Sequence, residues 1–170
     1  EWIREFGFGS LNIDLIYGLP FQTNESFAET LDEIIALAPD RLAIFSYAHV
    51  PWIKPAQRVF KEGKLPSAEA KLELLKLSVE KLTAAGYAYI GMDHFAREGD
   101  ELAVAQRQKK LQRNFQGYST RAGTDLYAFG MSSISQADGL YWQNHKELSD
   151  YYDSLDRGAL PFGKCYFLSD

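Results

Sequence analysis

The chain has 170 residues, of which 46% are hydrophobic, and its 23 acidic and 18 basic residues give a formal net charge of −5. This apolar fraction excludes an intrinsically disordered chain, and the length suits one compact domain with a core of its own. The sequence has no stretch near the roughly 18 consecutive apolar residues of a membrane span and no long Lys/Arg run, so we expect a soluble, cytoplasmic protein without a membrane or nucleic-acid partner.

Apolar periodicity predicts strand, helix and strand over the first 48 residues. Residues 11–17 form a short apolar run that ends in a Gly-Leu-Pro turn, as a buried strand does. Thr23 or Asn24 is suited to cap the next helix, whose predicted apolar face consists of Phe27, Leu31, Ile34, Ile35 and Ala38. A second, nearly continuous apolar strand follows over residues 41–48.

The same alternation continues in the next segment. Ser67 is predicted to cap a helix that ends at Gly86, and the apolar stripe of this helix is predicted to be Leu72, Leu75, Val79 and Leu82. Residues 87–95 are predicted to form a third strand, and a helix is predicted from Asp100 to about Asn114. Further on, Asn144 with Glu147 resembles the capping box of a last helix.

Strands and helices that alternate in this way, with nearly continuous apolar strands, predict an α/β fold with parallel strand pairing. A doubly wound sheet and part of a barrel both remain possible at this point. Three strands are too few for a closed barrel, which needs eight. We therefore expect the chain to be a piece of something larger.

Polar residues lie at or near the carboxyl ends of the three predicted strands, where α/β proteins concentrate their function. Asp14 is in the first strand, His49 follows the second, and Asp93 and His94 lie near the end of the third. One interpretation is a metal or acid/base site built from these four residues, as in a metal-dependent hydrolase. The alternative, that each side chain only hydrogen-bonds a neighbouring loop, is favoured because no metal-ligand spacing is present.

A basic segment stands out on this acidic chain. Its cationic residues are Arg97, Arg107, Lys109, Lys110, Arg113 and Arg121. Such a segment suits carboxylates or phosphates, although a solvated helix face explains Lys109 and Lys110 better. Arg113 borders a stretch of glycine, aromatic and amide residues, which suits a flat anionic ligand.

Cys165 is the only cysteine in the sequence. An intrachain disulfide and a metal or cluster site made only of cysteines are therefore excluded within this chain. A single cysteine near a chain end is usually an apolar filler, so we assign it no catalytic role.

Five stretches carry long and distinctive motifs: NIDLIYGLP at 12–20, FSYAHVP at 45–51, GMDHFAR at 91–97, DELAVAQ at 100–106 and RNFQGY at 113–118. In these motifs the chain resembles the oxygen-independent coproporphyrinogen III oxidases, a radical S-adenosylmethionine family of haem and porphyrin biosynthesis. The resemblance runs through nearly the whole chain, and only the last dozen or so residues are ambiguous.

The resemblance implies a fold, that of an incomplete parallel (β/α) barrel related to the TIM barrel. Residues 1–122 would be the second half of the radical S-adenosylmethionine barrel, and residues 123–170 the end of that domain and the start of the following C-terminal region. It also implies an oxidoreductase, a coproporphyrinogen dehydrogenase. In this family a 5′-deoxyadenosyl radical drives the oxidative decarboxylation of two propionates of coproporphyrinogen III to vinyl groups, which gives protoporphyrinogen IX.

Position by position, the resemblance implies roles for four residues. Asp14, Ile16 and Ala48 match contacts to S-adenosylmethionine, and Ile134 matches a contact to the second of the two S-adenosylmethionine molecules in such enzymes. For the propionates we nominate Arg97 and Arg113, on charge alone. The resemblance identifies no catalytic residue in this chain.

The chain departs from the family in one large respect, since the cysteine motif that holds a 4Fe–4S cluster is absent. The resemblance then implies a fragment, inactive alone, of a monomeric cytoplasmic enzyme whose upstream half-barrel supplies the cluster ligands. The alternative is a haem-binding relative with the same fold that acts as a haem chaperone. That relative shares the first motif but has a Glu-Pro-containing pattern after the second strand, so the motif at 45–51 favours the oxidase.

Overall fold

The computed structural model describes residues 2–60 and 64–168. The chain divides into two compact units, Glu1–Thr120 and Arg121–Asp170. The first unit contains helices α1 (Trp2–Glu5), α2 (Asn24–Leu37), α3 (Ala68–Ala84) and α4 (Glu101–Arg107), and a short 3-10 helix (Pro55–Val59). Its strands are β1 (Asn12–Tyr17), β2 (Arg41–Ser46), β3 (Tyr87–Gly91), β4 (His94–Arg97), β5 (Gln112–Asn114) and β6 (Gly117–Ser119).

Four of these strands form a mixed sheet in the order β1-β2-β4-β3. Strands β1 and β2 are parallel, with Asp14 opposite Ala43 and Ile16 opposite Phe45. Strand β4 is antiparallel to both of its neighbours. The α/β class is therefore confirmed, but the prediction that all strands pair in parallel is wrong.

The error lies in the third predicted strand, because residues 87–95 are not one strand but most of a tight hairpin. The chain reverses between β3 and β4 at Met92 and Asp93, and Met92 takes the left-handed φ of 50° that few non-glycine residues adopt. Residues on both sides of the turn are apolar, so the run of hydrophobic residues hides it. Only Gly91 and Asp93 mark the turn in the sequence.

Helices α2 and α3 cover one face of the sheet and build the main core. The prediction for α2 is confirmed: Thr23 Oγ1 accepts a hydrogen bond from the amide of Ser26 at 3.2 Å, and Phe27 and Leu31 are buried. The predicted stripe of α3 is partly wrong. Leu72 is 67% exposed, and the buried positions of α3 are Leu74, Ser78 and Leu82. This helix carries leucine on several sides, so apolar spacing alone could not select its buried face.

The helix predicted from Asp100 to about Asn114 is shorter than expected. Asp100 does cap it, since its side chain accepts from the amide of Leu102 at 2.8 Å, but the helix ends at Arg107. The chain then turns at Lys109, whose φ is 58°, and forms the β5–β6 hairpin. The Gln, Lys and Arg residues here are good helix formers, which is why the sequence pattern did not reveal the turn.

The second unit contains an antiparallel sheet, with strands β7 (Ile134–Ala137), β8 (Leu140–Asn144) and β9 (Phe162–Phe167), and helix α5 (Leu148–Asp156). The predicted capping box of α5 is wrong. Asn144 ends β8, where its side chain donates to the carbonyl of Gly130 at 2.9 Å and to Ser133 Oγ at 3.0 Å. Glu147 is the N-cap residue of α5 without a side-chain cap bond. Within the described ranges, no helix is both long and apolar enough to cross a membrane.

Candidate functional site

The face of the sheet opposite α2 and α3 is open over β1 and β2. Side chains alternate between the faces of a strand, so Asp14 and Ile16 of β1 share this face, and the register places Phe45 of β2 and His94 of β4 on it. Ile16 is 46% and Phe45 38% exposed, and Asp14 is exposed as well. We call this surface, defined by Asp14, Ile16, Phe45 and His94, the open face. An accessible carboxylate beside two large apolar side chains is typical of a ligand-binding surface.

The carboxylate of Asp14 is oriented by its own strand. Asn12 Nδ2 donates a hydrogen bond to Asp14 Oδ1 at 2.7 Å. No lysine, arginine or histidine of the described residues forms an ion pair with Asp14. An ionised carboxylate has about four acceptor positions, so Asp14 retains the capacity to bind hydroxyl or ammonium groups of a ligand.

Ala48 lies just beyond the carboxyl end of β2, in a segment that is held by side chains from elsewhere. Its carbonyl accepts from Gln57 Nε2 at 3.1 Å, while Gln57 Oε1 accepts from the amide of Val50 at 2.6 Å. Lys71 Nζ donates to the carbonyl of Tyr47 at 2.9 Å. The backbone at Ala48 is therefore fixed, and its small side chain is exposed.

His94 is the most enclosed titratable group on the open face. Its ring meets the ring of Phe45 edge-on at 6.2 Å between centroids, and its Nδ1 is buried without a hydrogen-bond partner among the described residues. Burial lowers the pKa of His94 from its ordinary value of 6.5; the charges of Asp93 and Asp14 oppose this change and that of Arg113 adds to it. The partial burial of His94 therefore favours the neutral form of its ring.

The β5–β6 hairpin brings a cation to the same region. Arg113 and Tyr118 are directly opposed across the two strands, and the guanidinium carbon of Arg113 lies 5.7 Å from the centroid of the Tyr118 ring. Tyr118 in turn packs edge-on against His94, at 5.2 Å between ring centroids. Arg113 is exposed, and among the described residues no carboxylate forms an ion pair with it. The structure thus brings Asp14, His94 and Arg113 together.

Arg97, the other nominated propionate ligand, lies at the far end of the sheet. Its Nε donates to the carbonyl of Pro39 at 3.0 Å, its Nη2 donates to that of Ala38 at 3.2 Å, and its guanidinium carbon lies 5.8 Å from the centroid of the Tyr87 ring. These contacts satisfy carbonyls at the C-terminal end of α2. They favour a structural role for Arg97, and its role as a propionate ligand stays a prediction that no contact supports.

Arg97→Met tests these two roles. The substitution keeps the aliphatic stem and removes the hydrogen bonds to the two carbonyls, so we expect a loss of about 1–2 kcal/mol in the free energy of unfolding. Urea unfolding of the purified protein measures this loss. Lys76→Met is the control, because Lys76 forms an exposed ion pair with Glu80 at 3.6 Å and should contribute less than about 1 kcal/mol. Equal stability of Arg97→Met and wild type would contradict the structural role.

Ile134 belongs to the second unit. It begins β7, is half-buried, and lines a cleft of 240 Å³ together with Trp142, Lys164 and Tyr166. The aromatic residues give this cleft an apolar wall suited to a flat ring.

The alternative metal site is not assembled. The described residues contain no group of three or more His, Cys, Asp or Glu side chains that could hold a metal ion. His49 packs against Tyr47, at 6.1 Å between ring centroids. Asp93 lies in the β3–β4 turn, where its carbonyl accepts from the amide of Ile44 at 2.7 Å.

Sequence analysis missed Phe45 and Tyr118 as components of the site. The nearly continuous apolar run of β2 hides the face of Phe45, and only its alternation with buried Leu42 and Ile44 places it on the open face. Tyr118 lies in the stretch of glycine, aromatic and amide residues next to Arg113, where no apolar periodicity marks its position. The only sequence signal for its position is Gly117, a glycine beside an aromatic residue.

No protein-family model matches the chain. The chain is 50% identical over 169 residues to the oxygen-independent coproporphyrinogen III oxidase of Synechocystis sp., covering 99% of this chain and 36% of that protein. It is 57% identical over 153 residues to the protein of the same name from Escherichia coli (strain K12), covering 90% of this chain and 34% of that protein.

A solved structure, described as coproporphyrinogen III oxidase (HemN) from Escherichia coli, a radical SAM enzyme, matches with a TM-score of 0.92 at 53% identity. The match covers 98% of this chain and 38% of that one. These comparisons confirm the resemblance inferred from the five motifs. The chain spans about a third of the length of these relatives.

Proposed function

We propose that this chain is part of an oxygen-independent coproporphyrinogen III oxidase and forms one wall of its cosubstrate and substrate sites. The observation that carries the proposal is the structural match to a radical SAM enzyme of that name over 98% of the chain, at a TM-score of 0.92 and 53% identity. The reaction would be the oxidative decarboxylation of two propionates of coproporphyrinogen III to vinyl groups, which yields protoporphyrinogen IX.

We propose further that residues 1–122 are the second half of an incomplete barrel in the longer enzyme, with the mixed sheet as part of its wall. Two features of the first unit support this arrangement. Strand β1 lies at an edge of the four-stranded sheet, and the adjacent part of the sheet has one face open. A barrel half has both features, since a barrel closes through its edge strands and encloses one face. Residues 123–170 would then form the end of the barrel domain and the start of the next region.

The open face fits S-adenosylmethionine. Asp14 offers an exposed carboxylate to ribose hydroxyls or an ammonium group, and Ile16 offers an apolar surface to an adenine ring. Ala48 has a small exposed side chain at the end of the neighbouring strand, which leaves room for the ligand. In the second unit, we propose that Ile134 contacts the second S-adenosylmethionine. Once bound and cleaved, the cosubstrate supplies the oxidising power that removes a hydrogen atom from a propionate.

A 4Fe–4S cluster, in contrast, does not fit the residues of this chain. Such clusters are held by several cysteine thiolates, and the sequence has Cys165 alone. Cys165 is exposed on β9 of the second unit. We therefore place the cluster ligands in the part of the longer enzyme that this chain does not match, and we expect the chain by itself to be inactive.

The charge of Arg113 suits the substrate. A propionate is a carboxylate, and a guanidinium binds a carboxylate through two parallel hydrogen bonds. Arg113 is exposed beside the open face and has no ion-pair partner among the residues described. We propose Arg113 as the propionate ligand of this chain.

A chimaeric enzyme tests the proposed function, with this chain in place of the matching region of the Escherichia coli relative. The cluster is reconstituted without oxygen, and the enzyme is incubated with reductant, S-adenosylmethionine and coproporphyrinogen III. We expect 5′-deoxyadenosine and protoporphyrinogen IX to appear together, as they should with the parental enzyme prepared in parallel as the control. Cleavage of the cosubstrate or haem binding without decarboxylation would overturn the proposal and favour a haem-handling protein.

A further inference from the structure

A slot in the sheet receives the side chain of Tyr118. Gly91, the last residue of β3, has a φ of 138°, and a Cβ built there would lie 2.5 Å from the hydroxyl oxygen of Tyr118. Real Cβ atoms essentially never come this close to another heavy atom, so any residue other than glycine at this position would displace the Tyr118 side chain. Tyr118 therefore occupies a defined seat on the sheet.

Tyr118, through its contacts with Gly91 and His94, connects the β5–β6 hairpin to the open face. The two strands form a sheet of their own, separate from the four-stranded sheet. The centroid of the Tyr118 ring lies 5.2 Å from that of His94. The guanidinium carbon of Arg113, on the same hairpin, lies 5.7 Å from the centroid of the Tyr118 ring. Gly117 has a φ of 139°, a backbone conformation that residues with a side chain rarely adopt, so the hairpin requires glycine at this point next to Tyr118. The direction of Arg113 is thus set through the ring of Tyr118.

We propose that Tyr118 is a positioning residue, which sits over Gly91 and against His94 and thereby directs Arg113 towards a carboxylate of a substrate bound at the open face. This inference depends on the proposed function, because it assumes a substrate with carboxylates at that face. The lowered pKa of half-buried His94 is consistent with the arrangement, since it disfavours a protonated ring that would repel the nearby guanidinium. The turn of the hairpin supports it too: Asn114 Oδ1 accepts from the amides of Gln116 and Gly117 at 2.9 and 3.2 Å, which holds the loop in one conformation.

The experiment uses Tyr118→Leu in the chimaeric enzyme, with steady-state kinetics for coproporphyrinogen III. Loss of the ring should leave Arg113 without its support and raise KM for the substrate by roughly 10-fold or more, about the effect of losing a charge-assisted hydrogen bond. We expect kcat to change less than about 3-fold and the affinity for S-adenosylmethionine to stay at the wild-type value, because the contacts of Tyr118 are with His94, Gly91 and Arg113 and Asp14 lies on a different strand. Tyr118→Phe keeps the ring and should restore a KM near that of wild type.

A double-mutant cycle separates positioning from general damage. Arg113→Gln alone should raise KM, and Tyr118→Leu added to Arg113→Gln should raise it no further if Tyr118 acts through the arginine. Tyr152→Leu is the matched control. Tyr152 is exposed on α5 of the second unit, so this variant should have wild-type kinetics.

An unchanged KM in Tyr118→Leu, or KM effects of the two substitutions that simply multiply, would overturn the inference. Failure of the unsubstituted chimaera to form product would instead count against the proposed function. The two failures are therefore distinguishable.

Discussion

Asp14→Ala in the chimaeric enzyme is expected to weaken S-adenosylmethionine binding by roughly 10- to 100-fold, because a charged hydrogen-bond acceptor contributes about 1.5–3 kcal/mol. Asp14 is exposed on β1, and Asn12 holds one of its two oxygens at 2.7 Å. The substitution removes the carboxylate without disturbing the core, since the side chain lies on the open face. Equilibrium binding of S-adenosylmethionine, with turnover at subsaturating cosubstrate, measures the effect.

Two variants control this experiment. Asp14→Asn keeps the shape of the side chain and removes its charge, so it should show an intermediate loss of affinity. Glu33→Ala removes an exposed carboxylate from α2, on the covered side of the sheet, and should bind the cosubstrate like wild type. An unchanged dissociation constant in Asp14→Ala would contradict the assignment of Asp14 to the cosubstrate wall.

Leu74→Ala is expected to reduce the free energy of unfolding by about 2–5 kcal/mol, whereas Leu72→Ala should change it by less than about 0.5 kcal/mol. Both residues are leucines of α3, but Leu74 is 1% exposed in the main core and Leu72 is 67% exposed. Truncation of Leu74 leaves a cavity among packed side chains, and truncation of Leu72 only removes a surface group. Urea unfolding of the two variants under identical conditions measures the difference.

The pair is a matched comparison, because the chemical change and the helix are the same in both variants. Helix propensity therefore cancels, and the difference reports burial alone. Similar losses of stability in the two variants would show that α3 packs on the sheet through a different face from the one described.

Local signals allowed the early part of the fold to be predicted. Strand β1 and helix α2 were expected where they occur, with Thr23 as one of two candidate caps and with Phe27 and Leu31 on the buried face. A cap depends on residues within one turn of the helix, and the face of α2 is marked by a single apolar stripe. Such features are encoded over a few neighbouring residues, so they can be recognised without knowledge of the rest of the chain.

Prediction failed where an apolar run hides a turn and where the partners of a residue lie far away in the sequence. The hairpin at Met92 and Asp93 interrupts a run that looks like one strand, because apolar residues continue on both sides of the turn. Arg97 looked like a ligand for an anion, but its partners are backbone carbonyls at Ala38 and Pro39, more than fifty residues earlier. The neighbours of an arginine in the sequence do not show whether it binds an anion or donates to backbone carbonyls.

The candidate site, too, was predictable from the sequence only in part. Asp14 and Arg113 stand within motifs that resemble one family, and the comparisons confirm that resemblance, whereas the roles of the two residues stay a prediction. The seat of Tyr118 was not visible, since Gly91 and Tyr118 are brought together only by the tertiary structure.

The sequence by itself determined the class of fold, the first elements and their caps, and the family that the chain resembles, because these depend on composition, on short-range periodicity and on the order of residues within motifs. Only the tertiary structure decided which face of α3 is buried, that the sheet is mixed, and that His94, Tyr118 and Arg113 meet beside Asp14. These outcomes depend on strand pairing and side-chain packing between distant segments. The free energy of such contacts cannot be inferred from any single stretch of the chain.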